Sequence, residues 1–418
     1  MEARNFPPEP PPSRRDRART TWSPWHWVGL TTVLFGVGLG VIGVNRALEG
    51  EEPIRQAVQT PIRAIAESVP ADATHTHRIG QRRIVRTSDG RLVVLYPGPD
   101  GLQIVSDQAN QGRTWRSPVT LPPISAQSFS VEADTDDRLH VGFSDGASIS
   151  YTVLTQNATG WNAANVVALD DSAPGSAVAI AWDQARGVAH VAWVSGDGAP
   201  TWAAVSGETP EVVATESLSA PAEGESSLMT IASDRQAGVV VAYSRGPNSD
   251  EWFSRALGDD PASGELEWGP EERIPVDHAA KAATLAIDER ARAHLVLASS
   301  DGTALSYFRR STRTGWTSPQ AILTPGTTDV DYPSVTLDAS SRLVYVFFHT
   351  RGDASGVHLA VHDPATEWEI PYRVGSPEDV PEGALYPTAI EETTGQPIVL
   401  WTTTADPHAI QSARVTAP

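Results

Sequence analysis

Asp134, Asp136 and Asp137 put three carboxylates into four positions, and such a cluster could hold Ca²⁺ if further oxygens completed the shell. The run coincides with an acidic turn residue that recurs along the chain. Asp suits turns because its side chain caps nearby backbone amides, and the turn reading is preferred. His75 and His77 would share one face of a strand, as a pair of metal ligands does, but no third histidine is nearby and exposed histidines are the simpler reading. Arg351-Gly352-Asp353 reproduces an adhesion tripeptide within a polar turn, and Asn157-Ala158-Thr159 is a glycosylation sequon only in a host that glycosylates such sites. The chain has no cysteine, which excludes disulfides, thiolate metal sites and a cysteine nucleophile. Serine-hydrolase elbow, P-loop and zinc-protease motifs are absent, so no cofactor is implied.

The elements that would position such residues form a repeat. A stronger apolar run recurs seven times, as in RLVVLYPGPDG, RLHVGFSDG, RAHLVLASSDG and RLVYVFFHTRGD, each between an acidic turn and a Gly/Asp-rich turn. The acidic residues are Asp89, Asp136, Asp183, Asp234, Asp288, Asp338 and Glu392, at intervals of 47, 47, 51, 54, 50 and 54 residues. That spacing is one four-stranded blade per repeat, and it predicts an all-β, seven-bladed β-propeller over residues 74–418, with six blades as the alternative. Trp115, Trp161, Trp268, Trp316 and Trp368 recur near the outermost strand of their repeats and are expected to pack between blades. The last repeat ends without an outer strand, and an open blade would expose sheet edges. The segment Thr74–Gly80 is expected to supply the missing strand.

Ahead of the repeats, residues 27–44 carry no charge and reach the length of a membrane-spanning helix. Trp22, Trp25 and Trp27 stand at its start, and Arg14, Arg15, Arg17 and Arg19 precede it. The positive-inside rule then places the N-terminus in the cytoplasm and the propeller outside a cell membrane. The length favours a signal-anchor at 22–46 over a cleaved signal peptide. Residues 1–21 read as a disordered Pro/Arg-rich tail and residues 47–73 as a partly helical stalk. Gly36 and Gly40 could let two such helices approach, although the whole span is rich in glycine. A formal charge of −20, with Lys281 the one lysine, argues against a nucleic-acid partner.

The stretch QANQGRTW, from Gln108 to Trp115, resembles a degenerate Asp-box of the BNR/sialidase-like propellers: Asn110, Gly112, Thr114 and Trp115 fit the pattern. RIVRTSDGRLVVLY, starting at Arg83, is similar to the opening strand of sialidases, but has Ile84-Val85 where the family has Ile-Pro. Asp-boxes are structural turns, so the resemblance implies a propeller before it implies an enzyme. It implies a six-bladed ring, against the seven repeats counted here. A sialidase-type site would require three arginines around a carboxylate, a Tyr nucleophile activated by Glu, and an acid. By residue type Arg83, Arg245 and Arg351 fit the first role, Tyr332 or Tyr386 the second, and Asp145 or Asp89 the third, although no spacing selects them.

The sequence therefore predicts a membrane-anchored, extracytoplasmic propeller that binds or scaffolds a protein or carbohydrate partner through first-strand starts near Ser128, Ser227, Tyr332 and Tyr386. The alternatives are a sialidase-like glycosidase or lyase acting on an envelope or extracellular glycan, and an assembly component.

Overall fold

The computed structural model describes residues 58–59, 62–69, 81–108, 114–121, 124–157, 160–172, 177–221, 228–234, 238–246, 249–259, 265–323, 329–338, 342–351, 356–363, 368–369, 371–374, 384–390, 396–403 and 408–416. The tail, the apolar span 27–44, His75, His77, Asn110, Gly112, Ser227, Gly352, Asp353 and Glu392 lie outside them. Among the described residues no helix is long and apolar enough to cross a membrane. The compact unit holding the propeller runs from Ile54 to Pro418.

Seven antiparallel sheets follow one another, so the ring has seven blades and the six-bladed alternative falls. Their first strands are Ile84–Arg86, Ser128–Ala133, Val178–Asp183, Met229–Ser233, Ala280–Ile287, Val330–Leu337 and Ala384–Ile390, here blades 1 to 7. Each first strand neighbours the next around the ring, and Ile84–Arg86 returns to Ala384–Ile390. Second strands are apolar on both faces because both are covered by adjoining blades; Ala293–Ser299 is buried throughout.

The core is distributed over seven seams, each drawn from two adjacent blades. Fully burying one Val or Leu in such a seam stabilises by about 1.5–3 kcal/mol. Gly142 shows how closely blades approach: a Cβ there would lie 3.0 Å from Val178 and 3.1 Å from Val191 of the next blade. The tryptophans do bridge blades. Trp268 meets Trp202 edge-on at 5.3 Å, Trp368 meets Tyr307 at 5.1 Å, and Trp316 donates to Ser254 Oγ at 2.8 Å.

Ring closure corrects one expectation. The outer strand of blade 7 comes from Arg63–Val69 and Val58–Gln59, paired antiparallel with His408–Thr416, whereas Thr74–Gly80 lies outside the described residues. The segment read as a partly helical stalk thus belongs in part to the sheet. Its weak helical spacing yields to the backbone groups of the C-terminal strand, which need partners, and to the seam between blades 7 and 1, where Ile65 and Ala66 are buried.

Candidate functional site

Two rims result from this topology. The lower rim carries the turns between first and second strands, and the upper rim carries the first-strand starts with the turns between second and third strands.

On the lower rim an Asp-Arg-His cluster recurs. In blade 2, Asp134 accepts from the Asp136 and Arg138 amides at 2.9 Å, Arg138 Nε at 2.6 Å and His140 Nε2 at 3.1 Å. The other His140 nitrogen meets the Tyr151 hydroxyl at 2.6 Å, and the ring stacks on Trp182 of blade 3 at 3.9 Å. Asp288, Arg292, His294 and Tyr307 repeat the pattern in blade 5, and Asp183, Arg186, His190 and Trp202 vary it in blade 3. Burial opposes ionisation of Asp134, but hydrogen bonds from His140 and Arg138 outweigh it and hold the carboxyl at about 2. Burial keeps His140, His190 and His294 below the ordinary histidine range.

The proposed calcium ligands are therefore directed to different partners. Asp134 is saturated by protein donors, Asp136 faces Arg138, and Asp137 accepts from Ser88 Oγ of blade 1. No group of three or more metal-ligating side chains capable of holding an ion occurs among the described residues. In blade 2 the turn is organised by Asp134, two residues before the Asp136 chosen from spacing.

The central channel is lined by Gln81, Arg82 and first-strand residues including Ser130, Thr230, Thr284 and Thr388, around a cavity of about 30 Å³. That exceeds the roughly 10–15 Å³ that one water molecule needs and leaves no room for a sugar. Ser130 and Ser334 accept backbone amides from neighbouring blades, Arg82 just ahead of the blade 1 first strand at 2.9 Å and Ala389 of the blade 7 first strand at 3.2 Å, and Arg82 pairs with Glu132. The channel is thus a tight polar seam.

None of the three arginines fitted to a carboxylate clamp lines the channel, and the partners described for them are different: Gln81 for Arg83, Glu271 for Arg245, and Asp329 and Asp331 for Arg351. Arg83 is buried over the Phe129 ring at 3.5 Å and donates to Gln81 at 2.5 Å. Arg245 pairs with Glu271 above Phe253 in blade 4, and Arg351 belongs to blade 6. A Tyr–Glu pair does exist, Tyr243 to Glu271 at 2.6 Å, but burial and that carboxylate push the phenol up, opposite to what a nucleophile needs. Asp145 accepts the amides of Ala147 and Ser148, and Asp89 binds Thr87 and Arg91. Both carboxyls are held low: amide hydrogen bonds do it for Asp145, and for Asp89 hydrogen bonds overcome the effect of burial. A general acid requires the reverse. Of the Asp-box match, Thr114 and Trp115 are described, in the connection between third and fourth strands of blade 1. Asn157 occupies the corresponding connection of blade 2, and Ser128 is buried. Tyr386 lies on the first strand of blade 7.

Tyr332 and Arg351 both lie at the upper-rim end of blade 6, where it meets blade 5. Asp329, Asp331, His349 and Arg351 share one face of blade 6: Asp331 pairs with His349 across the strands, and the Arg351 amide donates to the Asp329 carbonyl. Lys281 of blade 5 completes the group, with Nζ 3.4 Å from Asp329 and 3.5 Å from Asp331. Arg351 stands 3.5 and 3.7 Å from the same carboxylates. Asp329 and Tyr332 have φ of +58° and +49°, and a register shift follows Asp331. Such backbone costs about 1–3 kcal/mol per residue and concentrates at functional sites. Burial raises Asp331 against the pull of Lys281. Burial and Arg351 lower His349 to about 4, and neither of its ring nitrogens has a hydrogen-bond partner among the described residues.

Beside this group opens a cavity of about 460 Å³ on blade 5, within the size range of small-ligand sites. Asp277, His278, Ser299, Asp301, Thr303 and Ser306 contribute its polar wall. The Gly302 turn joins cavity and charged group: its carbonyl accepts from Val330 at 2.8 Å, and a Cβ there would lie 2.8 Å from Asp329 Cα. Sequence reasoning missed Lys281 as a site residue, and its status as the one lysine was the available signal. Asp277 and His278 lie on a connection between blades that the repeat does not encode.

No family model matches the sequence, and no curated relative does. Among solved structures, the chain is similar to a polysaccharide lyase of family PL25, an ulvan lyase, bound to -[GlcA(1-4)Rha3S]-. The TM-score is 0.58 at 10% identity over 84% of this chain and 95% of that one. A second structure of that lyase gives 0.58 at 9% identity with the same coverage. Aleuria aurantia lectin bound to Fucalpha1-6GlcNAc reaches 0.48 at 10% identity, over 72% of this chain and 99% of the lectin, a likeness that carries no argument. At these identities the lyase likeness shows the propeller fold and nothing of activity.

Proposed function

We propose that the protein is a membrane-anchored, extracytoplasmic propeller that binds glycans in the upper-rim cavity of blade 5. The observation that carries this reading is the cavity wall: serine and threonine hydroxyls and the Asp301 carboxylate of blade 5, with Asp277 and His278 from the connection that leads into it. Sugars are recognised by such dense hydrogen bonding, and the His278 ring lines the wall with its Nε2 buried and without a partner among the described residues. Asp277 orients that ring through Nδ1 at 2.9 Å. A binding role fits better than sialidase-type hydrolysis, since the three candidate arginines have separate partners and the hydrogen-bonded Tyr243 is held protonated.

Titration calorimetry of the full chain in nonionic micelles against a panel of oligosaccharides tests the site. His278→Ala and Asp277→Ala are expected to weaken binding by about tenfold each, the scale of a lost charge-assisted hydrogen bond. Unchanged affinity in both variants would overturn the assignment. Anchoring rests on the uncharged run 27–44 and the arginines before it. The chain is expected to resist alkaline carbonate extraction and to be cleaved by protease added outside intact cells. Release into the soluble fraction would overturn it.

A further inference from the structure

The junction of blades 5 and 6 differs from the lower-rim turn clusters of blades 1, 2 and 5 in how its charges are held. Arg138, Arg292 and Arg91 each reach a carboxylate at 2.5–2.7 Å, whereas the four contacts of Lys281 and Arg351 to carboxylates among the described residues lie at 3.4–3.7 Å. The two cations are balanced by Asp329 and Asp331 without being locked by them, and Arg351 is 53% exposed. Beneath them His349 is 1% exposed and carries a ring donor and a ring acceptor without partners among the described residues. Leaving such groups buried and unmatched is costly, as is the left-handed backbone at Asp329 and Tyr332. Strain, loosely held cations and an unmatched imidazole coincide at one place, and that place adjoins the cavity through Gly302.

We propose that Lys281 and Arg351 form an anion subsite that receives the acidic substituent, carboxylate or sulfate, of a glycan seated in the blade 5 cavity. This inference rests on the glycan-binding reading and gives it a ligand class. Lys281 offers three donors and Arg351 a planar fork, the geometry that carboxylate and sulfate oxygens match. The anion takes the place of the long contacts to Asp329 and Asp331.

The test is calorimetry on the full chain in nonionic micelles with three oligosaccharides of equal length: a polyuronate, a sulfated galactan and a neutral galactan. At least one acidic oligomer is expected to bind about tenfold or more tightly than the neutral one at low salt, and the oligomer that does so identifies the substituent. Lys281→Gln with Arg351→Gln is expected to abolish that preference while leaving His278-dependent binding of the neutral oligomer. Asp329→Asn removes a competing carboxylate at a φ that asparagine tolerates, and is expected to tighten acidic binding several-fold. This second variant keeps the test decisive should the double variant fold poorly. Neutral and acidic oligomers binding alike, or a preference that survives the double variant, would overturn the anion subsite alone. A chain that binds none of the three loses both readings.

Discussion

The lower-rim cluster of Asp134 and the upper-rim cluster of Asp331 are built from the same residue types and behave oppositely. Around Asp134 every strong acceptor direction is filled: two backbone amides, Arg138 and His140, with Tyr151 closing the other side of the imidazole. Around Asp331 the cations stand at 3.5 and 3.7 Å, the backbone on either side is left-handed, and the cross-strand imidazole has no partner among the described residues. The first arrangement recurs in blades 3 and 5, as expected of a device that fixes a turn. The second departs from the repeat. A repeat protein stabilises itself with what it duplicates, and the departure marks the residues free to act on something else.

The largest effect expected from this contrast is on stability at the lower rim. Asp134→Ala leaves Arg138 and His140 facing an emptied, buried position, and breaking one side of such a pair costs about 3–5 kcal/mol. Urea denaturation at pH 7 is the measurement. A loss below about 1 kcal/mol would remove the distinction between a saturated and an open cluster.

The repeat length, the tryptophans and, outside blade 2, the turn aspartates were legible because each blade restates the same packing problem, and alternation with regular turns survives sequence drift. Ring closure was legible as a need, while its solution at Arg63–Val69 was not. Ile54, Val58, Ile62 and Ile65 mimic helical spacing, and pairing with His408–Thr416 depends on a contact across the whole chain. At the site, Tyr332 and Arg351 were picked out for a role borrowed from another fold member. The structure places those two in blade 6, Tyr332 on its first strand and Arg351 just after its second, and separates them from Arg83 in blade 1 and Arg245 in blade 4, because residues distant in sequence meet only through the order of blades. Asp277 and His278 left no trace, since loops between blades carry no period.

An intermediate effect is expected from acid. His349 is lowered to about 4 in the fold against roughly 6.5 when unfolded, so the unfolded chain takes up the proton first. Its contribution is complete above about pH 6.5 and is lost as pH falls toward 4, on the order of 3 kcal/mol in all. His349→Leu is expected to flatten that part of the stability curve and to cost little at pH 7, because it removes a polar group without leaving a described partner stranded. His140→Leu is expected to destabilise at every pH, since it strands Asp134 and Tyr151. Chemical denaturation of both variants from pH 4 to 7.5 separates them. Equal losses at pH 7 would mean that His349 is as firmly engaged as His140.

The smallest effect is expected at Asp329. Its carboxylate is 42% exposed and its ion pairs span 3.4 and 3.5 Å, a regime in which surface pairs contribute about 0–1 kcal/mol. Asparagine keeps the side-chain shape and accepts φ of +58° as readily as aspartate does. Asp329→Asn is therefore expected to change unfolding free energy by less than about 1 kcal/mol, several-fold less than Asp134→Ala, although Asp329 faces two cations and Asp134 one cation and a neutral imidazole. Should Asp329→Asn cost as much as Asp134→Ala, the upper cluster would be a second structural clamp, and Lys281 and Arg351 would have no freedom to exchange their partners for a ligand.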